Sequence, residues 1–143
     1  MRILLLAGLV AGAVAVSGTA AYAADAASIE RGRYLAVEVA KCGMCHTPKD
    51  DKGEPDKEKW FKGAVLDFAP LTPGSPGTKG WHKTAQDLTP SGSLWKKWGE
   101  AAMVKFLVTG KGPRGNPADV PMPAYTLSEK DAEAIVDYLK SLK

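Results

Sequence analysis

Residues 41–49 read KCGMCHTPK. Cys42 and Cys45 are the only cysteines among 143 residues, and His46 is one of 2 histidines, so a chain poor in both types places three of these side chains within five positions. The segment before them, Ile29 to Ala40, carries Leu35 and Val39 four apart and a small-residue face at Gly32 and Ala36. That spacing predicts a helix running into Cys42, with one face that another element approaches closely. The segment after them, Lys49 to Lys62, is highly charged, contains Gly53 and Pro55, and reads as a solvated loop.

Farther along, APLTPGSPGTKGWHKTAQDLTPSGS (residues 69–93) is too rich in Gly, Pro, Ser and Thr to hold long regular structure. A second helix is predicted over Leu94 to Thr109, where Met103, Phe106 and Leu107 follow helical spacing and Gly110 supplies the stop. After another irregular stretch, Ser128 and Asp131 have capping-box spacing, with Asp in place of the usual Glu or Gln. Ile135, Tyr138, Leu139 and Leu142 then form one apolar stripe. There is no internal repeat and no alternating strand pattern. The fold class is all-α, with three to four helices and long loops.

The chain opens with Met1 and Arg2, an apolar run from Ile3 to Val16, and the small-x-small triplet Ala21-Tyr22-Ala23. This is the layout of a secretory signal peptide over 1–23, leaving one domain at 24–143. The competing reading is a retained anchor, but the Gly, Ala, Ser and Thr content makes the run weakly hydrophobic and favours cleavage. The expected location is the periplasm, with no membrane span after cleavage. The formal charge of +3 comes from lysines nearly balanced by acids, which is a mixed surface and not a nucleic-acid footprint.

Three modest helices offer little apolar area to offset the entropy of ordering two long loops. A large buried prosthetic group would supply the missing core, and Cys-x-x-Cys-His is the attachment signature of c-type haem. Residues i and i+3 share one side of a helical turn, so both thiols reach one porphyrin while His46 turns onto the iron. Three readings compete. A disulfide leaves His46 unexplained, and a thioredoxin-like motif needs a βαβ setting. Zinc would require Cys42, Cys45, His46 and His82 together, with adjacent ligands at 45 and 46 awkward for tetrahedral closure.

For a second iron ligand the candidates are Met44, Met103, Met122 and His82. Met44 lies inside the attachment turn, and Met103 belongs to the apolar face of a helix. Met122 sits between Pro121 and Pro123, whose restricted φ stiffens the loop that presents it. His82 remains the alternative, giving two nitrogen ligands. A thioether favours the ferrous state and raises the potential relative to that pair.

In these residues the chain resembles bacterial class I single-haem cytochromes c. It is most similar to small exported cytochromes and the cytochrome domains of dehydrogenases that share a GxYLA…CxxCHT start. Here the run is Gly32, Tyr34, Leu35, Ala36, Cys42, Cys45, His46 and Thr47. Phe61, Gly63, the DLTP of Asp87 to Pro90, and MPAYTLSEKDAEAIVDYLKSL from Met122 to Leu142 extend the likeness. The resemblance implies one covalent haem c on Cys42 and Cys45, His46 as proximal and Met122 as distal ligand. It also implies that the first and last helices cross near Gly32 beside Tyr138. Two departures stand out: the loop from Leu66 to Gln86 fits no motif of the family, and Ala64 replaces the second glycine usual after Phe-x-Gly.

Such a protein carries electrons between redox proteins, with a dehydrogenase as donor and an oxidase or another cytochrome as acceptor. The alternative is a haem subunit held tightly in an exported dehydrogenase complex. Lys41, Lys49, Lys96, Lys97 and Lys111 would steer docking, or simply solvate the surface. Of Trp60, Trp81, Trp95 and Trp98, some would cover the haem and one would form an exposed patch. The chain shows no paired catalytic carboxylates and no nucleophile-base set, so no enzymatic chemistry of its own is expected.

Overall fold

A computed structural model describes residues 25–143. The predicted signal segment therefore lies outside the described residues. Helix α1 spans Ala26–Arg33 and continues as a π-helical turn over Tyr34–Val39. It starts where the Asp25 carboxylate accepts the Ser28 N–H at 2.6 Å. Wide bonds from the Ala40 N–H to Leu35 O and from the Cys42 N–H to Ala36 O (both 2.8 Å) then unwind its end. Lys41 follows with a left-handed φ of 53°. The helix therefore does not run into Cys42 as the sequence spacing suggests; the reversal at Lys41 makes Gly43–His46 a separate turn, α2.

Helix α3 spans Ser93–Thr109 and bends at Gly99, where φ is 71°. Gly110 ends it in the left-handed conformation, its N–H bonded to Phe106 O at 2.8 Å, as the stop signal predicts. Helix α4 spans Glu129–Ser141 and buries Ala132, Ala134, Ile135, Val136, Tyr138 and Leu139. The Ser128 hydroxyl caps it by accepting the Asp131 N–H at 3.2 Å. The reciprocal half of the capping box is missing for a visible reason. The Asp131 carboxylate is engaged instead by Arg31 of α1, at 3.0 Å.

The centre of the fold is the crossing of α1 and α4, the most extensive pairing of elements among the described residues. It occurs at Gly32, where an added Cβ would overlap the Ala134 carbonyl. Ser28 donates to Asp137 across the same seam at 2.6 Å. Met103 and Leu107 bring α3 into the core with Leu35, Ile135 and Leu139. Burying each such side chain contributes about 2 kcal/mol, so the small-residue seam matters for what it lets the larger neighbours bury.

One feature escapes the sequence pattern. Ala64–Val65 (β1) pairs antiparallel with Thr84–Ala85 (β2), closing the base of the long Gly/Pro segment. Two residues per strand are too few to show alternation. No helix among the described residues is long and apolar enough to cross a membrane.

Candidate functional site

Cys42 precedes the turn α2 as its N-cap residue, and its carbonyl accepts the N–H groups of Cys45 (3.3 Å) and His46 (2.9 Å). Both thiols are free, half-buried and three residues apart on one helical turn. Gly43 between them is required by packing. A side chain there would meet the Trp60 ring at 2.9 Å, and Trp60 in turn donates its indole N–H to the Tyr138 hydroxyl at 3.0 Å. Phe61 stands edge-on to both Trp60 and Tyr138, with centroids 5.1 and 5.9 Å away. The turn is thereby seated on the α1–α4 seam.

His46 is buried, and its Nδ1 lies 2.7 Å from the Gln86 carbonyl. A carbonyl only accepts, so Nδ1 carries the proton and Nε2 keeps its lone pair. Burial holds the imidazole pKa below its ordinary value, partly opposed by that carbonyl. His46 is thus neutral and oriented, the state in which imidazole binds a metal.

Segments 61–63 and 86–88 clasp this turn. The buried Thr47 hydroxyl accepts the Phe61 N–H at 3.0 Å, Gly63 N–H bonds to His46 O at 2.8 Å, and Leu88 N–H bonds to Phe61 O at 2.9 Å. Gly63 is left-handed at φ 79°, and a Cβ there would lie 2.8 Å from Ala85 O. Ala64, the departure noted above, lies in β1, where an ordinary side chain carries no such penalty. Within DLTP, the Asp87 carboxylate accepts both the N–H and the hydroxyl of Thr89 at 2.7 Å, and Trp95 donates to Leu88 O at 2.8 Å.

Met122 is half-buried in the loop before α4, its N–H bonded to Asp119 O at 2.9 Å. Tyr125, three residues on, pins that loop across the fold by donating to Ala40 O at 3.1 Å. Its phenol is pushed up to about 12, first by burial and then by the neighbouring Cys42 and Cys45 thiols. The loop bearing Met122 is therefore tied, through Tyr125, to Ala40 just ahead of the attachment turn. The other candidates go elsewhere. Met44 is exposed and Met103 is packed in the core. His82 is 58% exposed, with Nε2 3.8 Å from Asp119 Oδ2 and its own N–H on Val120 O. Among the described residues no three His, Cys, Asp or Glu side chains gather to hold a metal ion, so the zinc reading has no ligand set.

Two participants escaped the sequence reading. The Gln86 contact is a backbone carbonyl, which every residue type offers. Tyr125 was visible only as part of a loop motif. Of the tryptophans, Trp60 and Trp95 brace the site, Trp98 packs on Phe106, and Trp81 packs on Phe68, far along the Gly/Pro segment.

A helical chain closed by its terminal helices, with two thiols and an oriented imidazole on one turn, has the build of a small covalent-haem protein. Comparison with known proteins gives the class. The cytochrome c family profile matches residues 29–143. The chain is 32% identical over 116 residues to a diheme cytochrome c-type protein of Cereibacter sphaeroides, covering 78% of this chain and 34% of that one. It is 30% identical over 117 residues to the fructose dehydrogenase cytochrome subunit of Gluconobacter japonicus, covering 78% of this chain and 21% of the relative. The chain thus spans about a third and about a fifth of those relatives' lengths. It belongs to the cytochrome c family. With that membership come haem c as the family's cofactor, electron transfer as its function, and the mostly helical class I fold.

Proposed function

We propose that this protein is an exported, periplasmic carrier of single electrons, holding one haem c through thioethers at Cys42 and Cys45, with His46 and Met122 as axial ligands. The observation that carries this reading is the His46 ring, buried, neutral and held by Gln86 with Nε2 free, next to two free thiols on the same turn. A single haem is supported by the single Cys-x-x-Cys-His motif, which uses Cys42 and Cys45.

Bound there, haem c supplies a one-electron ferric–ferrous couple. The chain's own residues do the rest. Gln86 O fixes the tautomer and orientation of His46 and raises its basicity. Thr47, Phe61 and Gly63 immobilise the attachment turn, so little rearrangement accompanies a change of charge. Tyr125 and the flanking prolines present Met122, whose soft sulfur favours the reduced state. Steering of partners by the exposed lysines Lys41, Lys96, Lys97 and Lys111 and the half-buried Lys49 belongs to the same reading.

A second reading, a haem subunit bound within an exported dehydrogenase complex, is supported by the relative named as a fructose dehydrogenase cytochrome subunit. Size exclusion of native extract separates the two. Elution alone supports the free carrier; co-elution with a large flavin, quinone or molybdenum protein supports the complex. The mass of the purified protein tests the cofactor: covalent haem on the wild type, and none on the Cys42→Ala/Cys45→Ala variant. A colourless, fully folded wild type overturns the proposal.

A further inference from the structure

The segment between β1 and β2 is an ordered lobe. The Leu66 N–H bonds to Lys83 O at 2.8 Å and closes its base. Inside, the Thr78 hydroxyl donates to Thr72 O at 2.9 Å, Thr78 N–H bonds to Ser75 O at 2.9 Å, and Trp81 N–H bonds to Thr78 O at 3.1 Å. Phe68 and Trp81 stack edge-on, centroids 5.5 Å apart, beside a cleft of about 320 Å³ lined also by Pro70, Pro73 and Lys83.

This lobe displays what a solitary fold would hide. Leu71 is fully exposed (102%) and Phe68 47% exposed, and Val65, in β1 at the base of the lobe, is 65% exposed. Phe68, Pro70, Pro73 and Trp81 share one cleft, and an apolar cleft left in water on an internally bonded segment marks a contact site. Charge selects its occupant. Lys79 and Lys83 lie in the same segment, and Asp67 is its one carboxylate. A second copy would bring lysines against lysines, whereas an apolar patch ringed by carboxylates would meet both features. The lobe also touches the Met122 loop, since the His82 N–H donates to Val120 O at 2.6 Å.

We propose that the Leu66–Lys83 lobe is a docking surface for a protein that presents an apolar patch ringed by carboxylates. That this protein is an electron-transfer partner rests on the carrier reading above; the surface itself does not. Only two lysines contribute, so the apolar contact dominates and the interface is small and short-lived. Because the lobe is internally bonded, binding needs little rearrangement.

The test is a titration of the reduced holoprotein with two probes, an acidic flavodoxin and an acidic single-copper protein, followed by amide chemical shifts. Shifts should concentrate between Val65 and Lys83. Phe68→Ser/Leu71→Ser should weaken binding about tenfold and Lys79→Glu/Lys83→Glu about as much, while Lys130→Glu on exposed α4 surface should leave it unchanged. All four lobe side chains are exposed, and an unaltered visible spectrum verifies folding. Shifts elsewhere, or unchanged binding by the lobe variants, overturn the proposal. So does a wild-type dimer in sedimentation that Leu71→Ser dissolves, because the occupant would then be a second copy. Lobe binding without electron exchange would instead sink the carrier reading and leave the docking surface standing.

Discussion

Gly32 lies so close to the Ala134 carbonyl that no side chain fits between them, and a Cβ would also sit 2.9 Å from Tyr138 Cβ. The obstruction is backbone from the facing helix, so it cannot be relieved by a rotamer change. Gly32→Ala gains about 1 kcal/mol of helix propensity but meets an overpacking cost of about 3 kcal/mol. A net loss of about 2 kcal/mol is expected in denaturant unfolding of the holoprotein. A stabilised variant would show that α1 and α4 do not cross here.

The Trp60 indole N–H has the Tyr138 hydroxyl as its partner, at 3.0 Å. Tyr138→Phe strands that donor and should cost about 1 kcal/mol. A double-mutant cycle with Trp60→Phe should return a coupling of similar size, about 1 kcal/mol. Additive effects would mean that the bond contributes nothing.

Tyr125 sets an alkaline limit. Its phenol ionises at 10.0 ordinarily and is pushed up to about 12 in the fold, so between these values the unfolded chain has lost a proton that the native chain retains. Stability therefore falls as pH rises from 10.0 toward about 12. Attachment of a haem removes the thiol charges but leaves burial, the larger cause. Tyr125→Phe should flatten the decline, measured by denaturant midpoints across that range. An unchanged slope would place the phenol in water.

Met122→Ala should leave the haem attached while abolishing the weak far-red band of the oxidised protein, lowering the potential and opening the reduced protein to carbon monoxide. If the spectrum of Met122→Ala matches the wild type, His82→Ala becomes the deciding variant.

Much of this protein is local, and the local part was legible. Cys42, Cys45 and His46 occupy one turn, so their closeness follows from spacing alone. The Ser128 cap and the Gly110 stop act over three or four residues and are formed as read. The contacts that give the site its chemistry are long-range. His46 finds its partner forty positions away, on a backbone carbonyl with no residue-type signature. Tyr125 bonds to Ala40, 85 residues away, again through a carbonyl. The lobe shows in the sequence only as a Gly/Pro-rich run because the bonds that order it include Thr78 hydroxyl contacts to main-chain carbonyls, which leave no periodic pattern.

By itself, then, the order of amino acids determined that Cys42, Cys45 and His46 share one turn and where the last two helices are capped or stopped, because both depend on neighbours within a turn. Tertiary structure decided which imidazole nitrogen stays free, which methionine lies in the loop tied to Ala40, and which apolar side chains remain in water. Those outcomes depend on where distant backbone comes to rest, and chain-closing contacts such as Gly32 on Ala134 set that position.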